Sequence, residues 1–250
     1  MPSQVFSCQE LTEFILSGFN VSVPSNFCGF KKLLVLHLLH NTYEFGALES
    51  FINGCPLLKE LSIELFGDMT SICLKKAKNL IDLQLTVNQE SVSGLIKSLP
   101  NIQRLFLESY CDKMLYADII SPSHLISLKY LKLDCVNLDE RGELLYISNN
   151  GNGEQEPDQL EELERNSYCF SQLQTVSIRV GTTDFKHAMS LTRFILANSS
   201  SLKTLAFKVD FGREKLDPAV LLSISRNLLL MERASQRARL EFTHRKMDFK

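Results

Sequence analysis

The sequence predicts an α/β solenoid: a curved parallel sheet with short helices on its convex side, closed by a C-terminal helix and strand. Three observations predict it. A pattern of apolar anchors, L-x-x-L-x-L, best formed in C-P-L-L-K-E-L-S-I from Cys55 to Ile63, recurs along the chain. The copies are separated by similar lengths. Between them lie segments with helix-like apolar spacing, and prolines fall where helix should give way to strand.

Aligned on that pattern, the anchors are Leu11/Phe14/Leu16, Leu33/Leu36/Leu38, Leu58/Leu61/Ile63, Leu80/Leu83/Leu85, Ile102/Leu105/Leu107, Leu128/Leu131/Leu133, Leu173/Val176/Ile178 and Leu202/Leu205/Phe207. The central anchors of these eight units are 22, 25, 22, 22, 26, 45 and 29 residues apart. Most of those gaps match the period of roughly 20–29 residues that marks a leucine-rich repeat. The last L-x-L alternates with period 2, so both leucines of a short strand face one side and the residue between them faces the other. No single unit can bury its own anchors. Stacked units can, at about 1.5–3 kcal/mol per buried large aliphatic side chain. The repeat description allows Asn or Cys three residues beyond the last anchor. Asn41 and Asn88 fit it, whereas Phe19, Phe66, Tyr110, Val136, Gly181 and Asp210 do not, so the array is irregular.

The return segments follow in order. Leu48, Phe51 and Ile52 before Gly54, and Val92, Leu95, Ile96 and Leu99 before Pro100, have helical spacing. Pro24, Pro56, Pro100 and Pro122 precede strands, where a fixed φ and a missing N–H end a helix without breaking a ladder. The 45-residue gap holds an insertion, Asp139 to Arg165, with nine acidic and two basic residues (9 − 2, net −7) around N-N-G-N-G. This composition predicts a solvated loop, with Leu160 to Arg165 able to form a short acidic helix. After Phe207 the pattern changes. Asp217 and Pro218 read as N-cap and first residue of a longer helix carrying Leu221, Ile224, Leu228 and Met231, and Ala238, Leu240 and Phe242 alternate as a final strand. The division expected is therefore 1–210 for the repeats, with the acidic loop near 139–165, and 211–250 for a C-terminal cap.

Composition limits what such a chain does. With 44% hydrophobic and 22% charged residues it should fold, and a net charge of −2 supplies no overall field for nucleic acid or an anionic membrane. The N-terminus lacks a signal-peptide pattern, and no run approaches the roughly 18 apolar residues of a membrane helix. Seven cysteines without C-x-x-C or zinc-ligand spacing read as reduced core thiols in the cytoplasm or nucleus.

The stretches S-C-Q-E-L, F-C-G-F-K-K-L-L-V-L-H-L and L-E-S-F-I-N-G-C-P-L-L-K-E-L-S-I resemble the leucine-rich repeats of plant F-box proteins. The ending, L-A-N-S-S-S-L-K-T-L-A-F and then I-S-R-N-L-L-L-M-E-R-A-S-Q-R-A-R-L-E-F, is similar to the FBD region that closes many of them. The resemblance implies a substrate-recognition module of an SCF-type ubiquitin ligase receptor. In that family an F-box of roughly 40–50 residues, a length within the ordinary small-domain range, docks on a Skp-type adaptor. Met1 stands where that family would already be inside its first repeat, so the F-box is expected to be absent. A truncated paralogue, an incorrectly delimited product or a fragment is expected, and neither adaptor docking nor ligase recruitment passes to any residue here.

No catalytic constellation is visible. The five histidines, His37, His40, His124, His187 and His244, lie in no H-E-x-x-H, and no G-x-S-x-G, Walker or dinucleotide motif is present. His37 and His40, three apart on or after a strand, do not share a face. The expectation is a non-enzyme without metal or cofactor. Function should instead lie on the concave strand face, where the residues between anchors are free to vary. There the candidates for partner contact are Arg104, Phe106, Tyr130, Lys132, Arg179 and Lys208, since aromatics and arginines dominate interface energies. The alternative is a small-molecule or anion sensor, which needs Arg104, Lys132, Arg179 and Lys208 to converge. Leu34, Val35 and Leu39 are apolar where a solvated face is expected, so the N-terminal region or a partner should cover them.

Overall fold

The computed structural model describes residues 3–44, 46–65, 74–87, 95, 98–99, 101–109, 125–135, 170–181, 185–211 and 217–246. The insertion at 139–165 and Asn88 lie outside the described residues. The main sheet holds nine parallel strands: β1 (Glu13–Ser17), β3 (Val35–Leu39), β5 (Glu60–Leu65), β6 (Asp82–Val87), β7 (Arg104–Ser109), β8 (Tyr130–Cys135), β9 (Thr175–Val180), β10 (Thr204–Phe211) and β11 (Arg239–Lys246), in that spatial order. Short β2 (Asn20–Val21) and β4 (Thr42–Tyr43) pair separately.

Register holds from end to end. Phe14, Leu36, Leu61, Leu83, Leu105, Leu131, Val176, Leu205 and Leu240 lie opposite one another, as do Leu16, Leu38, Ile63, Leu85, Leu107, Leu133, Ile178, Phe207 and Phe242. All eight predicted units thus become consecutive turns of one solenoid. One hydrogen-bond device repeats between them. The N–H groups of Leu34 and Val35 donate to Thr12 O, those of Lys59 and Glu60 to Leu34 O, and so on to Lys203 and Thr204 on Gln174 O, at 2.8–3.2 Å. Each strand is thereby aligned by a carbonyl at the start of its predecessor. Into β11 the turn is one residue shorter: Ala238 takes the first anchor's place, and only Arg239 N–H reaches Lys203 O.

The core lies beneath the sheet, on the return side. At the N-terminal end a 3-10 turn (Ser3–Ser7) brings Phe6 onto Phe27, Phe30 and Phe51, with ring centroids 5.0–6.4 Å apart. Helix α1 (Ala47–Asn53) buries Leu48, Phe51 and Ile52 as their spacing predicts. It ends at Gly54, whose backbone packs directly against Gly29. A Cβ on Gly29 would stand 2.0 Å from Gly54 O, and its φ of +86° belongs to the left-handed region, so this corner requires glycine twice over. Of the second predicted return helix, Leu95 and Leu99 are buried. Helix α2 (Phe185–Asn198) was not read from the sequence, although Ala188, Leu191, Thr192 and Ile195 repeat at helical spacing and are all buried.

Asn41 explains the tolerated Asn of the repeat. It is buried, its Oδ1 accepting from Phe19 N–H at 2.9 Å and its Nδ2 donating to Leu16 O at 2.8 Å. The side chain satisfies backbone groups the sheet has left behind. Burial beside it raises the Tyr43 phenol to about 12.

At the C-terminus, Asp217 caps α3 (Pro218–Leu230) by accepting from Ala219 N–H at 2.8 Å, and Ile224, Leu228 and Met231 are buried. β11 then forms the outer strand, so helix and strand close the solenoid as one more turn. The cysteine expectation needs correction. Cys55 is buried, its thiol held up at about 11 by burial, but Cys8 and Cys28 are exposed, because both lie in surface turns outside the anchor pattern.

Candidate partner-binding face

Because register never slips, the outward residues form straight rows across the strands. One row reads Glu13, Val35, Glu60, Asp82, Arg104, Tyr130, Thr175, Thr204, Arg239; the next reads Ile15, His37, Ser62, Gln84, Phe106, Lys132, Ser177, Ala206, Glu241. A third carries Glu64, Thr86, Glu108, Asp134, Arg179, Lys208 and Thr243. Neighbours in a row are about 4.8 Å apart, so their side chains meet.

The six candidates all occupy these rows, and most are already engaged. Arg104 binds Asp82 through two nitrogens, Nε and Nη2, at 2.7 and 2.5 Å from Oδ2. Lys132 Nζ stands 3.9 Å from the centre of the Phe106 ring, a cation–π contact, and 3.7 Å from Asp134. Arg179 lies between two carboxylates, its Nη1 3.4 Å from Asp134 and its Nε 3.7 Å from Asp210. Tyr130 is half-buried between Arg104 and Thr175, and Lys208 half-buried between Arg179 and Thr243. Phe106, Lys132, Asp134, Arg179 and Asp210 thus form one side-chain chain across β7 to β10.

The acids in that chain were not singled out by sequence reasoning, yet their signal was available. Asp134 directly follows anchor Leu133 and Arg179 follows Ile178, so in-register strands must place them side by side. Asp134 and Asp210 are only 6% and 5% exposed, and Asp134 Oδ1 and Asp210 Oδ2 accept no hydrogen bond. Burial, opposed by Arg179 and Lys132, raises the Asp134 carboxyl above its ordinary range. Asp82 is likewise raised by burial and pulled back by Arg104.

The four cations do not converge. Arg104 answers Asp82, and the charges of Lys132, Arg179, Asp134 and Asp210 sum to zero. The two histidines also separate: His37 Nε2 is 3.3 Å from Glu60, while His40, with φ of 52°, places its backbone N–H 2.7 Å and Nδ1 2.8 Å from Glu64. Among the described residues no group of three or more His, Cys, Asp and Glu could hold a metal ion, and no helix is long and apolar enough to cross a membrane. Leu34, Val35 and Leu39 are half-buried by their neighbours, but Ile15 beside them is 58% exposed.

Residues 1–144 match the family model described as the LRR repeats of FBD-associated F-box protein At5g56370. Over 297 residues the chain is 23% identical to F-box/FBD/LRR-repeat protein At1g13570 of Arabidopsis thaliana, covering 97% of this chain and 70% of that protein. Among solved structures, an internalin (inlF) of Listeria monocytogenes str. 4b F2365 aligns with 96% of this chain at a TM-score of 0.42 and 14% identity; the chain spans 57% of that internalin's length. The match to the repeat model runs through β1 to β8, and the chain belongs to the leucine-rich-repeat family of FBD-associated F-box proteins.

Proposed function

We propose that this chain is a protein-recognition module that holds a protein partner on its concave strand face, in the way its family resemblance implies for the substrate-recognition part of an SCF-type ubiquitin ligase receptor. The observation that carries the reading is the unbroken set of outward rows, held at fixed spacing by buried anchors and presenting Phe106, Tyr130, Lys132 and Arg179 at its centre. Phe106, Lys132 and Arg179 are ordered by the cation–π contact and the shared Asp134 carboxylate, which lowers the entropy lost on binding. No observation favours an anion sensor, since Arg104, Lys132 and Arg179 each stand against a carboxylate. The α3 and β11 unit is read as the FBD region of the relatives, and the cytoplasm or nucleus as the setting that keeps exposed Cys8 and Cys28 reduced.

Proximity labelling in plant cells with the unaltered chain and with a Phe106→Ala, Tyr130→Ala variant tests the reading. Partners should be lost from the variant while its circular dichroism is unchanged; identical partner sets would remove the concave-face claim. Adaptor recruitment is assigned to no residue of this chain.

A further inference from the structure

The concave sheet is electrically polarised from one end to the other. Strands β1, β3, β5 and β6 carry Glu13, Glu60, Glu64 and Asp82 and not one Lys or Arg. Each of β7 to β11 carries at least one on its outward positions: Arg104, Lys132, Arg179, Lys208, Arg239 and Arg245, against Glu108, Asp134, Asp210 and Glu241 (6 − 4, net +2). The acidic half is also the apolar half. Val35 lies in register between Glu13 and Glu60, and exposed Ile15 sits one row further on, beside His37. Arg104 neutralises Asp82 at the boundary between the halves, but Glu13 has no basic neighbour in its row and Glu60 has only His37.

From this we infer that the first four strands of the concave face are a docking surface for a protein segment in which an apolar side chain is flanked by lysines or arginines. The inference rests on the concave-face reading above and adds the partner's chemistry and orientation. Glu13 and Glu60 offer carboxylates on either side of an apolar strip made by Ile15 and Val35. A basic residue on each flank of an apolar anchor meets both features at strand spacing. The same surface repels acidic segments, nucleic acid and anionic lipid. The net positive charge of β7 to β11 repels the basic segment from the other half, so the pattern fixes which way the partner lies.

The test uses two fluorescein-labelled peptides, one with leucines separated by Lys-Gly pairs and one with Glu in place of Lys, each carrying a photo-crosslinking phenylalanine. Binding is read by anisotropy between about 0.05 and 0.5 M salt, a range over which exposed charges become screened. The lysine peptide should bind about tenfold tighter than the glutamate peptide at low salt, lose that advantage at high salt, and cross-link to β1, β3 or β5. Glu13→Lys with Glu60→Lys should weaken it about tenfold. Ile15→Ser, at a position that is 58% exposed, should weaken it severalfold. Equal binding of the two peptides, or no binding of either, overturns the inference. Concave cross-links with the opposite charge preference also reject it while leaving the concave-face reading standing. Cross-links confined to exposed Leu222, Leu229 and Leu230 of α3 would reject both. An assembly of two copies that the Glu13→Lys, Glu60→Lys variant disperses would reject the inference in favour of self-association.

Discussion

Replacing Arg179 by Met keeps the apolar stem of the side chain and removes the cation between Asp134 and Asp210. Both carboxylates are almost wholly buried, so the variant leaves two anions facing one another. Breaking a buried ion pair by removing one partner costs about 3–5 kcal/mol. Here Arg179 is itself 31% exposed, its contacts at 3.4 and 3.7 Å are loose, and Lys132 remains 3.7 Å from Asp134. The expected loss at pH 7.5 is therefore about 2–3 kcal/mol, which for a chain of this size lowers Tm by roughly 4–12 °C. The sign with pH is fixed by the cause. Burial already holds the Asp134 pKa above its unfolded value, and loss of Arg179 removes an influence that lowers it. Between the unfolded and folded values the native state binds the extra proton, so stability falls as pH rises through that window and is regained as pH falls below it. Urea denaturation should show a large deficit at pH 7.5 and a smaller one at pH 5, and Asp134→Asn in the Arg179→Met background should restore part of the loss. An equal deficit at both pH values would refute the electrostatic account and leave lost packing as the cause.

Two further predictions test the frame that carries the face. Gly29→Ala should cost about 2–5 kcal/mol, because it adds left-handed strain to a 2.0 Å collision with Gly54 O, while Gly18→Ala at φ +75° in open space should cost only about 1–2 kcal/mol; comparable midpoints in guanidinium would contradict this. Asn41→Leu should cost about 2–5 kcal/mol by leaving Phe19 N–H and Leu16 O unpaired, and hydrogen exchange should quicken at the Phe19 amide before it does at Leu38.

Much of the fold was legible because its signal is local and repeated. Each L-x-x-L-x-L names its own strand, face and core, and one alignment of the copies yields the register of the sheet. Helix α2 was harder, since its buried face includes the polar Thr192 and its guide was a single helical period after a long insertion. Cys8 and Cys28 failed because residue type was read without position: thiols are usually buried, but these two fall outside the anchors. The site was half legible. Outward positions followed from the period, whereas the ion pairs joining them depend on which residues meet across neighbouring strands. Arg104, Lys132 and Arg179 were read one at a time, so the carboxylates that restrain them were passed over, as was the polarity that appears only when rows are compared across the sheet.

The gaps between anchors run from 22 to 45 residues, yet Leu131 still meets Val176 across the longest of them. Length variation leaves the strand register unchanged, and the outward grid keeps fixed positions. Exchanging an outward residue outside the ion-paired chain of Lys132, Asp134, Arg179 and Asp210 therefore edits one cell of that grid without moving the others, and a change in return-segment length leaves the register as it is. Such an architecture can change what it recognises by point substitution alone, with its framework and its recognition surface open to separate alteration.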